Sequence, residues 1–139
     1  MPKPKSQNNL HHNEQCWILF GQVDRKLWWG RKHRRSSGGP VQVAFDPKFV
    51  TEREELHGDV VGMIHTHPNM LAEPSARDVR TMQAWCDSLG KMLVCCIVGN
   101  GGTRAFWFDP DETEYTECQV KSFGGLLVGT TEDSLDLST

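Results

Sequence analysis

The stretch GMIHTHPNMLAEPSARDV, residues 62–79, contains two histidines separated by one residue, then a proline, then a Ser-x-x-Asp sequence. The apolar residues before His65 predict a β-strand, and alternate residues of a strand point to the same face of a sheet. His65 and His67 are therefore expected to bring their imidazole rings together. Two convergent imidazoles form half of a typical zinc site, so the rest of the chain must supply the remaining ligands.

Asp78 is the natural candidate for a third ligand. Pro74 and Ser75 predict the start of a helix with Ser75 as its N-cap, which places Asp78 in the first turn. A carboxylate is favourable there, because the N-terminal end of the helix dipole is positive. Ser-x-x-Asp also resembles a capping box, which stabilises a helix without binding a metal. Its combination with His-x-His across a short loop favours the metal site.

Glu14 is a candidate general base. A water activated by zinc must lose a proton, and a nearby carboxylate that is not itself a ligand can accept it. Glu14 lies two positions before Cys16, the first residue of the apolar run CWILFG at 16–21, which predicts a buried strand. Without the histidine motif, the ordinary interpretation of Glu14 is a solvated carboxylate at the end of an element.

The three motifs together resemble the JAMM zinc metalloproteases, also called the JAB or MPN family. The signature of that family is a glutamate before an apolar strand that ends in glycine, then His-x-His-Pro, then Ser-x-x-Asp. This chain has EQCWILFG at 14–21, followed by IHTHP and PSARD, with ten residues between His67 and Asp78. Trp17 is a departure, since many members have glycine there, but every position of the signature is filled.

The resemblance implies a fold and a set of site residues. The fold would be the α/β cytidine-deaminase-like or MPN fold, in which helices flank a mixed β-sheet in a single domain. His65, His67 and Asp78 would bind one Zn²⁺ ion, with a water molecule in the fourth position. Glu14 would act as the general base, and Ser75 would donate a hydrogen bond to the oxyanion of the tetrahedral intermediate.

The resemblance also implies a substrate class. Members of the family usually hydrolyse the bond after the C-terminal tail of ubiquitin or a ubiquitin-like protein, and this short chain resembles compact prokaryotic or phage-type members. Deconjugation or precursor processing of a ubiquitin-like protein is therefore expected. The alternatives are a peptidase that releases an amino acid such as cysteine from a sulfur-carrier protein, a RadC-like protein, and a metal-free MPN scaffold for a protein complex. Filled metal-ligand positions disfavour the scaffold.

Composition limits the other classes of function. The chain has 139 residues, of which 37% are hydrophobic and 24% charged, and a net charge of -3, so a single globular domain is expected. Mild acidity gives no general attraction to nucleic acid or to anionic membranes. No apolar run approaches the roughly 18 residues that span a bilayer. Five cysteines without a C-x-x-C pair, and no export signal, are typical of the reducing cytoplasm. Oligomeric state is not indicated.

We predict a flexible N-terminal arm at 1–12, a JAMM/MPN domain at 13–129 and a flexible acidic tail at 130–139. The basic run Arg31–Arg35 is interpreted as a loop, either solvated or able to dock an acidic partner, and one of Trp28 and Trp29 should pack in the core. Pro68 is expected to end the strand that carries the histidines. The predicted elements are strands near 14–23, 41–45 and 59–67, helices near 46–57 and 75–89, a hairpin over 91–109, and a further strand near 115–123.

Overall fold

The computed structural model of the protein describes residues 15–24, 27–37 and 47–130. Two helices and seven strands form within these ranges, and Glu14 and the predicted strand at 41–45 lie outside them. The proposed boundaries of arm, domain and tail stay predictions. The elements are β1 (Gln15–Asp24), β2 (Leu27–Ser37), α1 (Pro47–His57), β3 (Val60–Leu71), α2 (Ala76–Leu89), β4 (Leu93–Asn100), β5 (Gly102–Phe108), β6 (Thr116–Phe123) and β7 (Leu126–Thr130).

The strands form one mixed sheet that closes on itself in the order β1-β2-β7-β6-β5-β4-β3. All neighbouring strands are antiparallel except β3 and β4, which are parallel. A parallel pair requires a crossover connection, and α2 supplies it. The predicted mixed sheet with helices is confirmed. Its closure into a barrel was not predicted.

Two buried clusters lie on opposite faces of the sheet. One contains residues of all seven strands and of neither helix, so it fills the barrel; Leu19, Ile64 and Cys96 belong to it. The other contains strand residues together with Val50 of α1 and Met82 of α2, so it lies between the barrel and the helices. Met63 belongs to this helix side, and the period-2 alternation of β3 therefore directs His65 and His67 to the same side.

The interpretation of the basic run as a loop was wrong. Arg31–Arg35 lies within β2, which pairs with β1 along its length and with β7 over Leu27–Arg31. Pairing with β1 overrides the turn-like composition of GRKHRRSS, residues 30–37. Alternation along β2 buries Trp28 at 1% exposure and leaves Trp29 at 40%, so the expectation of one core tryptophan is confirmed.

The end of β3 and the last strand also differ from the prediction. Pro68 does not end β3, because the strand resumes its pairing with β4 at Leu71 after an irregularity that follows Thr66. Proline is tolerated at such an interruption of the hydrogen-bond ladder. β7 was not predicted, although it closes the barrel by pairing with both β2 and β6 and contributes the fully buried Leu127. Neither helix of the described residues is long and apolar enough to cross a membrane.

Candidate metal centre

His65 and His67 lie side by side on the helix side of β3. Their ring centroids are 4.8 Å apart with the rings inclined at 68°, and both side chains are buried. His65 is held between two strands, opposite Cys16 of β1 and Ile97 of β4. Because neighbouring strands fix the backbone on both sides, the direction of the imidazole is set by the sheet. The predicted convergence of the two histidines is therefore a property of a central strand.

Asp78 faces both histidines from the first turn of α2. One of its carboxylate oxygens, Oδ1, lies 3.4 Å from Nε2 of His65, and the other, Oδ2, lies 3.3 Å from Nε2 of His67. The same residue completes a capping box: Ser75 Oγ accepts a hydrogen bond from the Asp78 amide at 3.1 Å, and Asp78 Oδ2 accepts one from the Ser75 amide at 2.9 Å. Capping and metal binding, weighed as alternatives from the sequence, are thus compatible in one carboxylate.

The donor set fits zinc. One ligand atom from each of His65, His67 and Asp78 lies within 4.8 Å of the others. Four ligands bound tetrahedrally at about 2.0–2.1 Å from one zinc ion lie roughly 3.4 Å apart, which is close to the separations between the carboxylate and the two imidazoles. Two imidazole nitrogens and a carboxylate oxygen form the three-ligand set that catalytic zinc sites use, and such a set leaves a position for water or substrate.

The carboxylate of Asp78 is held in its ionised form. Burial raises the pKa of Asp78, but the hydrogen bond to His67, the charge of His65 and the hydrogen bond from the Ser75 amide together outweigh burial and lower that pKa below its ordinary value. An ionised carboxylate is the form that binds a cation.

Three further contacts around the histidines were not predicted. The Sγ atom of Cys95 lies 3.7 Å from Nε2 of His65, and Nδ1 of His67 lies 3.4 Å from the carbonyl oxygen of Leu71. The amide of Gln15 donates a hydrogen bond to Thr66 Oγ1 at 2.9 Å. The last contact places the start of β1 beside the segment that carries both histidines. Glu14 is the preceding residue in the chain, and its own position lies outside the described residues.

A mixed barrel that presents two histidines on a central strand and an aspartate on the following helix defines an α/β domain with a candidate metal site. Comparison with known proteins gives the family. The model of prokaryotic homologs of the JAB domain matches residues 5–109, so the chain belongs to the prokaryotic JAB family. The chain is also similar to a desampylase from Pyrococcus furiosus, with 28% identity over 111 residues that cover 77% of this chain and 74% of the relative.

Replacing Ser75 by alanine is expected to lower the free energy of unfolding by about 1 kcal/mol, because the Asp78 amide loses its hydrogen-bond acceptor. Urea denaturation in the presence of a chelator measures this change without a contribution from bound metal. Ser88→Ala is the matched control, since Ser88 is an exposed residue near the other end of α2. Equal effects of the two substitutions would contradict the structural role assigned to the cap.

Proposed function

We propose that this chain is a zinc-dependent isopeptidase that hydrolyses the bond after the C-terminal tail of a ubiquitin-like protein. The observation that carries the proposal is the convergence of the His65 and His67 nitrogens on the Asp78 carboxylate. Membership in the prokaryotic JAB family supports a hydrolase, and similarity to a desampylase supports a ubiquitin-like modifier as the substrate.

His65, His67 and Asp78 are the residues that would hold the metal. Bound there, zinc would act as a Lewis acid on the scissile carbonyl and lower the pKa of a water ligand towards about 7. Burial of both imidazoles keeps them away from competing water, and the sheet and the helix cap hold the three ligands before metal arrives. A site of this kind requires little rearrangement on binding, which favours affinity.

We assign the proton transfers to Glu14. Its carboxylate would accept a proton from the attacking water and then deliver it to the leaving amine, as general acid–base catalysis requires. Support comes from the described start of β1: Gln15 is hydrogen-bonded to Thr66, between the two histidines in sequence, and Cys16 lies opposite His65. Glu14, the residue before Gln15, is therefore adjacent in sequence to the start of β1, which contacts β3 at the proposed metal ligands.

We assign the stabilisation of the developing oxyanion to Ser75. Its Oγ accepts a hydrogen bond from the Asp78 amide, which leaves the hydroxyl proton available for donation. Ser75 is exposed at the start of α2, beside the metal ligand Asp78, so a substrate carbonyl can reach it. A donor that is already oriented by the helix cap costs no reorganisation during the reaction.

Two variants separate the role of Glu14 from the roles of the ligands. Glu14→Gln is expected to retain zinc while its kcat falls by about 10²–10⁴-fold, because only the proton acceptor is lost. His67→Ala is expected to lose both zinc and activity. The measurements are zinc content and turnover of a cleavable ubiquitin-like fusion protein. Glu112→Gln, at an exposed position, is the matched control; unchanged turnover in Glu14→Gln would overturn the assignment of the base.

Chelation of zinc is expected to stop turnover, whereas alkylation of thiols is expected to leave turnover unchanged. All five cysteines are buried, and burial raises the pKa of Cys86 to about 11 and the pKa values of Cys95 and Cys96 well above their ordinary value. Thiols in this state react slowly, since the thiolate is the reactive form. A zinc chelator should therefore abolish turnover, and added zinc should restore it, whereas iodoacetamide should leave turnover unchanged. Loss of turnover on mild alkylation of folded, zinc-loaded protein would indicate cysteine chemistry.

A further inference from the structure

The segment that joins the histidines to the helix has a well-defined backbone. It leaves the regular part of β3 after Thr66, passes through Asn69 in the left-handed region at φ 59°, and pairs with Asn100 of β4 at Leu71. Asparagine tolerates this conformation better than most residues. The segment then buries Ala72 at 2% exposure in the helix-side core. Both ends of the link between His67 and Ser75 are thus tied to the body of the domain.

Gly99, in β4, lies directly beneath this segment. A Cβ atom at position 99 would lie 2.6 Å from the carbonyl oxygen of Met70 and 2.8 Å from the amide nitrogen of Ala72. Cβ atoms do not approach other heavy atoms within 3.0 Å in proteins. Both obstructing atoms belong to the backbone, so no change of rotamer can relieve the contact. The segment can lie this close to β4 only because residue 99 has no side chain.

Leu71 lies in the chain between Met70 and Ala72, and its backbone carbonyl group faces His67. Its oxygen accepts a hydrogen bond from the Glu73 amide at 2.9 Å and lies 3.4 Å from Nδ1 of His67. A carbonyl oxygen can only accept, so a His67 ring that binds a metal through Nε2 can direct its Nδ1 proton at this oxygen. Nε2 lies 3.3 Å from Asp78 Oδ2, so the same ring orientation directs that nitrogen towards the proposed metal position. Partners of this type fix the orientation of metal-binding histidines.

We propose that Gly99 is a positioning residue for the metal centre, which acts by letting the Met70–Ala72 backbone lie against β4 so that the Leu71 carbonyl orients His67. The inference rests on the proposed zinc site and adds to it a residue that has no side chain with which to bind the metal. A side chain at position 99 lifts the segment, moves the Leu71 carbonyl away from His67, and weakens metal binding while the ligands themselves are unchanged.

The test is the zinc affinity of purified full-length variants, measured by competition with a chromogenic chelator. Gly99→Ala is expected to raise the zinc Kd by about 10–100-fold, the range found when a partner of a metal-binding histidine is lost. The visible spectrum of the cobalt-substituted protein should change as well, since it reports ligand geometry rather than stability. Gly125→Ala is the matched control: no heavy atom lies within 4 Å of a Cβ there and its φ is not positive, so its Kd should equal that of the unaltered chain.

A second substitution covers the case in which Gly99→Ala does not fold. Ala72→Val enlarges a buried side chain of the same segment and should also raise the zinc Kd, because overpacking at position 72 displaces the adjoining Leu71 carbonyl. A folded variant whose zinc Kd and cobalt spectrum match those of the unaltered chain overturns the role of Gly99 and leaves the proposed function intact. Failure of the unaltered chain to bind zinc overturns the proposed function, and this inference with it.

Discussion

The contact between the Asp78 carboxylate and the two imidazoles is the interaction on which the rest of the site depends. The carboxylate receives the Ser75 amide as part of the helix cap while its two oxygens face His65 and His67. A local interaction that starts α2 is therefore also the tertiary contact that joins α2 to β3. Any change that moves the start of the helix therefore moves the proposed metal ligand Asp78.

The barrel gives that contact its rigidity. β3 is paired on both sides, with β1 in the antiparallel and β4 in the parallel sense, and its histidines lie on the face that packs against the helices. Both rings are buried, at 2% and 6% exposure, and the Asp78 carboxylate is the charged partner that they share. The barrel and the helix cap thus hold together the three groups that the proposed zinc site requires.

Features encoded by neighbouring residues could be predicted from the sequence, and features encoded by strand pairing could not. The convergence of His65 and His67 follows from the period-2 alternation of a strand. The helix Ala76–Leu89 follows from its capping residues, Ser75 and Gly90, and Gly90 does have the left-handed conformation. β7 follows β6 after the two-residue turn Gly124-Gly125, a local hairpin signal that was overlooked. The strand character of Arg31–Arg35 depends on pairing with β1, which the basic, turn-like composition of this run does not indicate. The nearness of Cys95 to His65 has the same origin, since it depends on the parallel pairing of β3 and β4.

X-ray absorption at the zinc edge of the zinc-loaded protein tests the central assignment most directly. Ligation by His65, His67 and Asp78 predicts a first shell of nitrogen and oxygen only, at about 2.0–2.1 Å, with the outer-shell signal of two imidazoles. A variant that lacks both histidines should bind no zinc at this site, so the imidazole signal should be lost together with the metal. A sulfur ligand at about 2.3 Å, which would point to Cys95, or a zinc environment unchanged by removal of the histidines, would contradict the account.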